Sequence, residues 1–411
     1  MSAPASSGAG PIVVIGGGHA AAQLCAALAE AGQGARVHLV MDEAALPYQR
    51  PPLSKAFLKT EDESLQTLRA EAWFATAGIT LYRADAAVAV ERAQRLVRLR
   101  SGAELPYAQL VLATGARGRT LPALAHASLT NVATLRSAAD ALRLRAQLHA
   151  AERITVLGGG FIGLEIAATA RALGKAVTVL EAAPRLLLRS VSPELAAHVL
   201  ATHRAAGIDV RLGVAVGEFE LQGGRVTGLQ VDGVRESVDL LVLGIGAVPE
   251  HMLATDAGLA CGNGIEVDAF MRTSDPHILA VGDCASFPDS RGGRMLRLES
   301  VQNANDQART AAATLLGRSE PYSALPWFWS EQGGLRLQMA GLMPADGERH
   351  PRPGATPASF SILHYVGEQL VCVESANAPL DHLTARKLLE AGKSPAPGLA
   401  CDPAVPLKAH L

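Results

Sequence analysis

Glycines spaced for phosphate binding occur twice in the sequence, each time between two apolar stretches. They lie in "PIVVIGGGHAAAQLCAALAEAGQGARVHLVMDE" and in "RITVLGGGFIGLEIAATARALGKAVTVLEAA". The first glycine of such a pattern permits a tight turn, the second lets the backbone approach a pyrophosphate, and the third small residue lets a helix pack on the sheet. The helix N-terminus then binds the phosphates, and an acid roughly 20 residues further on binds ribose hydroxyls. These residues are Gly16, Gly18, Ala21 and Asp42 in the first set and Gly158, Gly160, Gly163 and Glu181 in the second.

Elements that would position these residues follow from the same stretches. Each has an apolar run rich in β-branched residues, a stretch of small residues typical of a helix and a second apolar run. This order predicts a β-α-β unit that occurs twice in the chain. Two further apolar strands end in "ATG", at Thr114 and Gly115, and in "GD", at Asp283. Asp283 at such a strand end suits a hydrogen bond to a ribityl hydroxyl. We therefore expect two nucleotide-binding folds, the first interrupted by the second and then resumed.

The stretch "PYQRPPLSKAF" contains no cysteine, although many flavin enzymes carry redox-active cysteines after their first nucleotide-binding unit. It has a proline-rich turn and then Lys55. The five cysteines of the chain are scattered, without a CxxC motif or metal-ligand spacing. We expect free thiols in a reducing cytoplasm and no bound metal.

Composition and charge exclude several functional classes. The chain has 411 residues, which predicts two or three domains, and 49% of them are hydrophobic and 18% charged, which is typical of a globular protein. A net charge of -2 argues against a nucleic-acid or anionic-membrane surface. The start, "MSAPASSGAG", lacks the features of a signal peptide, and no apolar run reaches the ~18 residues of a membrane span.

A third region begins after Pro321. "LPWFWSEQGGLRLQMAGL" brings three aromatic residues together, and the period-2 patterns that follow predict an antiparallel sheet. "PLDHLTARKLLEAG" predicts an amphipathic helix. We expect the proline-rich stretch 344–357 to be a surface connection and the residues from Ser394 to form a loosely packed tail.

The ordered motifs GGGHAA, LPYQRPPLSK, LVLATGA, GGGFIGLEIAATA, GIGAVPE, AVGDCA, RLESVQNA and PWFWSEQ resemble a known family. They are similar to those of the bacterial NADH-dependent, FAD-containing ferredoxin reductases of oxygenase systems, over essentially the whole chain. The resemblance implies an α/β fold like glutathione reductase, with two Rossmann-like domains and a C-terminal α+β domain. The expected limits are 1–118 and 244–322 for the FAD domain, 119–243 for the NADH domain and 323–411 for the C-terminal domain.

The resemblance also implies roles for individual residues. Lys55 would lie near flavin N5, Glu165 near the nicotinamide, and Trp329 against the flavin. The implied FAD-binding residues are Gly16, Gly18, Ala21, Asp42, Lys55, Thr114, Gly115, Arg136, Asp283, Val301 and Trp329. The implied NADH-binding residues are Gly158, Gly160, Gly163, Glu181 and Gly246.

The implied reaction is hydride transfer from NADH to FAD, followed by transfer of single electrons to a [2Fe-2S] ferredoxin that feeds a Rieske dioxygenase or a cytochrome P450. Lys55 would stabilise negative charge on the reduced flavin. Glu165 lies on an apolar helix face, where a carboxylate is costly unless paired, so we hypothesise a Lys55–Glu165 ion pair. The alternative is a carboxylate that faces solvent or helps the helix N-terminus.

The sequence also bears on the choice of nucleotide and on the surface that binds the partner. Glu181 favours NADH because a 2′-phosphate would meet its carboxylate, although Arg185 and Arg189 follow closely. Ferredoxins are usually acidic, so a basic docking surface is expected. Candidate docking residues are Arg297, Arg309 and Lys387.

Three other functions remain open at this point. An NADH oxidase or peroxide reductase of the same fold would normally need a redox cysteine after the first unit. A rubredoxin reductase would differ only in its partner. A flavin-binding redox sensor would hold reduced flavin and NAD⁺ with negligible turnover.

Overall fold

A computed structural model describes residues 10–60, 62–124, 129–290, 293–318 and 320–411. Most of the "MSAPASSGAG" start, on which the signal-peptide expectation rests, lies outside these residues. Within these ranges no helix is long and apolar enough to cross a membrane. The chain divides into two compact units. One contains the residues up to Arg50, Leu65–Arg117 and Val248–Ala324, and the other contains Pro51–Ser64, Gly118–Ala247 and Leu325–Leu411.

The first unit is built on a five-stranded parallel sheet that buries an apolar core. Its central strand, Ile12–Ile15, is buried along its whole length, as expected for a parallel strand covered on both faces. Helices His19–Glu30 and Val301–Leu315 pack against each other. In spatial order the strands are Ile278–Ala280, Gln109–Leu112, Ile12–Ile15, Val37–Val40 and Thr80–Tyr82.

Smaller elements complete the first unit. Two small sheets comprise Ala87–Glu91, Leu96–Leu99 and Glu104–Pro106, and Cys261–Gly262, Gly264–Glu266, Ala285–Pro288 and Met295–Leu296. The short helices are Gly34–Arg36, Glu71–Thr76, Met252–Asp256 and Gly282–Cys284. Strands Ala116–Gly118 and Ala247–Pro249 contain two of the five points where the chain passes from one unit to the other.

The second unit repeats the parallel architecture. Its sheet has the spatial order Asp209–Leu212, Ala176–Glu181, Arg153–Leu157, Leu240–Leu243 and Val132–Ala133. The helices of this part are Pro51–Ser54, Ala56–Lys59, Pro122–Leu124, Ala138–Ala150, Phe161–Ala172 and Pro193–Ala205. A three-stranded antiparallel sheet follows, formed by Val216–Gln222, Arg225–Val231 and Val234–Ser237.

The C-terminal region of this unit is a five-stranded antiparallel sheet, as its period-2 patterns predict. The strands are, in spatial order, Trp327–Gln332, Leu335–Gly341, Gln369–Ala376, Phe360–Val366 and Glu348–Pro353. The predicted amphipathic helix is Pro379–Glu390, and two short helices follow at Pro397–Ala400 and Leu407–His410. The predicted fold class, two parallel α/β folds with a C-terminal α+β region, is confirmed. The predicted domain limits stay predictions.

Two expectations for this region are wrong. The stretch 344–357 is not only a surface connection, because Glu348–Pro353 forms an edge strand, where prolines are tolerated since one side of the strand needs no partner. The tail from Ser394 is not loosely packed. The buried Arg352 guanidinium donates to the carbonyl oxygens of Ala400, Asp402 and Val405 at 2.7–2.9 Å.

Candidate functional site

The first glycine turn has the geometry that nucleotide binding requires. Gly16 follows the central strand with φ 129°, and a Cβ there would lie 2.1 Å from the carbonyl oxygen of Ala113. Gly18 is the N-cap of helix His19–Glu30, and no described side chain caps it. The nearest atom to a Cβ built on Gly18 is Arg50 Nε at 3.9 Å, so the turn leaves space for a ligand. Ala21 is fully buried against the sheet.

The second turn repeats this arrangement. Gly158 has φ 99°, and a Cβ on it would lie 2.5 Å from the carbonyl oxygen of Gly244. A Cβ on Gly163 would lie 2.6 Å from the carbonyl oxygen of Gly158, so only glycine permits this close packing of helix and strand. Gly160 is the N-cap of helix Phe161–Ala172, again with no cap from a described side chain. Gly246 has φ 101° and open space on its Cβ side.

Three other long helices are, by contrast, capped by a serine side chain. Ser137, Ser192 and Ser300 each accept a hydrogen bond from the first turn of their own helix. Gly18 and Gly160 have no side chain to do so, which suits amide donors that bind phosphate oxygens. Both turns therefore fit the pyrophosphate of a dinucleotide.

The two acids at the strand ends are placed differently. Glu181 Oε2 accepts a 2.6 Å hydrogen bond from the amide of Gly159, and Oε1 accepts one from the amide of Ala183. Its carboxylate is thus fixed beside the second glycine turn. Asp42 is 70% exposed and forms a 2.8 Å ion pair with Arg100, a partner that the sequence analysis missed because it is distant in sequence.

Arg185 does not weaken the argument for NADH. Its guanidinium donates to the carbonyl oxygens of Leu188 and Val191 at 2.8 and 2.7 Å. It therefore stabilises the loop that follows Glu181.

Thr114, Gly115 and Asp283 lie at strand ends of the first unit. Thr114 Oγ1 donates to the carbonyl oxygen of Glu250 at 2.5 Å, and Gly115 adopts φ 74°. Asp283 lies in the short helix Gly282–Cys284, where its carbonyl oxygen accepts a hydrogen bond from Arg297.

The remaining FAD candidates occupy helix and strand starts. Val301 is half-buried and begins helix Val301–Leu315. Arg136 lies in the second unit just before helix Ala138–Ala150, and its amide donates to the Asp140 carboxylate. Whether these residues bind FAD stays a prediction.

The Lys55–Glu165 ion pair predicted from sequence is confirmed. Lys55 Nζ lies 2.7 Å from Glu165 Oε2, with Glu165 only 4% exposed and Lys55 21% exposed. Ser54 Oγ donates to the same carboxylate oxygen at 2.5 Å, and Ser330 Oγ donates to Oε1 at 2.7 Å. The carboxylate therefore has three donors, which is how a buried charge is tolerated.

Ser54 and Ser330 were missed by the sequence analysis. Ser54 precedes Lys55 directly, and Ser330 follows Trp329, so both adjoin predicted site residues. No sequence pattern distinguishes them, because a buried serine looks the same in sequence as an exposed one until its hydrogen-bond partner is known.

Strand Trp327–Gln332 alternates its side chains between two faces. Phe328 packs on Phe161, with ring centroids 4.7 Å apart, and Ser330 points the same way to Glu165. Trp327 and Trp329 stack on each other at 5.5 Å, and the Arg386 guanidinium lies 4.3 Å from the Trp327 ring. Trp329 is half-buried, so its ring remains partly accessible.

The cysteines are not arranged or activated for redox chemistry. All five are free thiols. Burial raises the pKa of Cys25 to about 12, and it also raises the pKa values of Cys284, Cys372 and Cys401. These thiols stay protonated at neutral pH and are poor nucleophiles.

One of the three candidate docking residues does not fit. The Arg297 side chain is only 10% exposed and is paired with Glu299 at 2.7 Å, so it does not present a charge for a partner. Arg309 is exposed but paired with Asp306, and Lys387 is exposed on helix Pro379–Glu390.

The chain matches two descriptions of protein families. Residues 10–308 match the family "Pyridine nucleotide-disulphide oxidoreductase", and residues 327–411 match "Reductase C-terminal". It is 41% identical to rhodocoxin reductase of Rhodococcus erythropolis, over 97% of this chain and 93% of that protein.

Two solved structures are similar over nearly the whole chain. One is a ferredoxin reductase for the CYP199A2 system from Rhodopseudomonas palustris, with a TM-score of 0.93, 42% identity and coverage of 98% and 99% of the two chains. The other is putidaredoxin reductase in its covalent complex with putidaredoxin, with a TM-score of 0.93, 38% identity and 98% coverage of both chains. The chain therefore belongs to the pyridine nucleotide-disulphide oxidoreductase family, in the group of reductases that includes rhodocoxin reductase and putidaredoxin reductase.

Proposed function

We propose that this protein is an NADH-dependent ferredoxin reductase. It takes a hydride from NADH onto FAD and passes electrons singly to a [2Fe-2S] ferredoxin that supplies a bacterial oxygenase. The observation that carries this proposal is the presence of two dinucleotide turns in a chain without a cysteine pair. The names of the similar reductases support the class of partner.

The two turns divide the cofactors between them. The turn at Gly16 and Gly18 would bind FAD, with Asp42, Thr114, Gly115, Arg136, Asp283, Val301 and Trp329 as further contacts. The turn at Gly158 and Gly160 would bind NADH, together with Glu181 and Gly246. Bound FAD supplies the chemistry that converts a hydride into two single-electron transfers.

The chain's own residues set geometry and charge for this reaction. Lys55 provides a fixed cation that would stabilise the negative charge that hydride transfer brings to the flavin. Glu165 fixes that cation, because its carboxylate is itself fixed by Ser54 and Ser330. Preorganised charge of this kind needs no rearrangement during the reaction.

The proposal extends to the cellular compartment and to the docking surface. Five free cysteines without a disulfide suit a reducing cytoplasm. For docking an acidic ferredoxin, Lys387 and Arg309 remain candidates because both are exposed.

A panel of electron acceptors tests the proposal. The FAD-loaded protein is given NADH with a [2Fe-2S] ferredoxin, with a rubredoxin or with oxygen alone. We expect the highest kcat/KM with a ferredoxin and a strong decrease of that value with added salt. Faster turnover with rubredoxin or oxygen would contradict the proposal, as would a stable NAD⁺ complex of the reduced protein with negligible turnover.

A further inference from the structure

A buried chain of polar side chains leads away from Glu165. Ser330 Oγ, which donates to Glu165, accepts a 3.2 Å hydrogen bond from Gln332 Nε2. Gln332 Oε1 lies 2.7 Å from His203 Nε2. Glu165, Ser330, Gln332 and His203 are all at most 4% exposed, so water does not compete for these bonds. The chain joins the helix that carries Glu165 to the helix Pro193–Ala205 through one strand of the C-terminal sheet.

The donors of this chain run in one direction. An ionised carboxylate only accepts hydrogen bonds, so the single hydroxyl hydrogen of Ser330 goes to Glu165. Gln332 must then donate through its amide nitrogen and accept through its oxygen, which places a hydrogen on His203 Nε2. Burial lowers the pKa of His203, so the ring is neutral at neutral pH and keeps this tautomer. Each group thereby fixes the orientation of the next.

Ser330 has a special place in this chain. Glu165 Oε2 has two donors, Ser54 and Lys55, whereas among the described residues Ser330 is the one side-chain donor to Oε1. Without the hydroxyl, Oε1 would be buried and unsatisfied, which is costly for a charged oxygen. The carboxylate would then rotate to find another donor and move Lys55 with it.

We propose that Ser330 is a positioning residue that fixes Glu165 and, through it, the ammonium of Lys55, with Gln332 and His203 orienting the Ser330 hydroxyl. Its effect on hydride transfer rests on the proposed function. The hydrogen-bond coupling to Glu165 does not, because it is a property of the chain itself.

A double-mutant cycle with Ser330→Ala and Glu165→Gln tests this in the FAD-loaded protein. Stopped-flow mixing with NADH gives the limiting rate of flavin reduction and the Kd for NADH. We expect Ser330→Ala to slow reduction about 10-fold while the Kd changes by less than about 2-fold, as for a lost hydrogen bond to a charged group. In the Glu165→Gln background the serine change should have little further effect.

A matched control separates positioning from general loss of packing. Ser375 is also buried in the C-terminal sheet, where its hydroxyl bonds to Ser361 at 2.9 Å, away from Glu165. Ser375→Ala should leave the rate of flavin reduction unchanged. Gln332→Leu and His203→Leu should slow it, each less than Ser330→Ala.

Urea unfolding of the same cycle, on the protein as purified, gives a readout independent of activity. The stability effects of Ser330→Ala and Glu165→Gln should be non-additive, since the two side chains share one hydrogen bond. Additive effects in both reduction and unfolding would overturn the proposal, as would equal slowing by Ser375→Ala. If NADH does not reduce the wild-type flavin, the proposed function fails, and the unfolding cycle still decides whether Ser330 and Glu165 are coupled.

Discussion

At the residue scale, the ammonium group of Lys55 is paired with a buried carboxylate instead of being surrounded by water. Its partner Glu165 has three donors, and breaking such a pair leaves an uncompensated buried charge. A surface lysine loses little interaction energy when its ammonium group moves, because water surrounds it in every position. Lys55, by contrast, has one strongly preferred position, next to Glu165. The proposed role of Lys55, to stabilise the negative charge that hydride transfer brings to the flavin, requires such a fixed position.

Replacing Lys55 by Met should leave FAD bound and slow flavin reduction by NADH about 10- to 100-fold, the loss expected for a charged hydrogen-bonding group. Stopped-flow bleaching of the flavin measures this rate. Lys59→Met is the matched control, since Lys59 is exposed at the end of the short helix that follows Lys55 and its replacement should have no effect. Reduction of the Lys55→Met protein at the wild-type rate would show that the lysine has no such role.

Glu181 should decide between NADH and NADPH. Removing its charge with Glu181→Gln should reduce the preference for NADH, measured as the ratio of the two kcat/KM values, by about tenfold. Arg185→Met should not lower kcat/KM for NADPH relative to NADH, because its guanidinium is engaged by Leu188 and Val191. Equal use of both nucleotides by the wild type would refute discrimination by the carboxylate.

The site could be predicted from the sequence where a residue carries its own signal. Glycines at fixed spacing and the Lys55 motif are of this kind. The serines that hold Glu165 carry none, because Ser54 and Ser330 meet it only through tertiary packing. Arg297 illustrates the same limit, since the sequence does not show that its side chain is only 10% exposed and paired with Glu299.

At the element scale, the C-terminal edge strand is anchored by its one buried cation. Arg352 binds three carbonyl oxygens of the tail and lies 3.1 Å from Asp381 on helix Pro379–Glu390. The sequence showed only prolines and polar residues here, which predicted a loop. The edge position, which makes proline acceptable in a strand, depends on the order of strands in the sheet.

Arg352→Met should therefore destabilise the protein by about 2–4 kcal/mol, because it removes the cation paired with Asp381 and the donor to the tail carbonyls. Urea unfolding and limited proteolysis of the tail measure this. Arg349→Met, on the same strand, removes only an exposed pair with Glu194 and should cost less than about 1 kcal/mol. Equal effects of the two changes would contradict the anchoring role.

His382, on the helix Pro379–Glu390, makes stability depend on pH. Burial, with Arg386 and Arg336 nearby, lowers its pKa from 6.5 to about 4, and neither ring nitrogen has a hydrogen-bond partner among the described residues. Between these two pKa values, His382 is protonated in the unfolded chain and neutral in the folded chain. The stability that the neutral, buried His382 contributes is therefore complete above about pH 6.5 and is lost as pH falls towards 4.

Unfolding free energies measured between pH 7 and pH 4 should consequently fall less steeply for His382→Leu than for the wild type. His149 provides the control, since it is exposed at the end of helix Ala138–Ala150, and His149→Leu should leave the slope unchanged. The same slope for His382→Leu and the wild type would show that His382 is not buried in its neutral form.

At the scale of the whole molecule, two nucleotide-binding folds occur in a chain whose cysteines are separate and mostly buried. The order of motifs predicted this architecture because Rossmann turns are local in sequence. How the segment Pro51–Ser64 is grouped with the second fold could not be predicted, since it depends on contacts distant in sequence. Because the cysteines form no pair, the proposed function expects electrons to leave directly from the flavin.

The number of ferredoxins reduced per NADH, counted without oxygen, tests this account most directly. A hydride carries two electrons and a [2Fe-2S] ferredoxin accepts one, so each NADH consumed should reduce two ferredoxins, and protein without FAD should reduce none. NADH oxidation that leaves the ferredoxin oxidised, or ferredoxin reduction by protein free of FAD, would contradict the account.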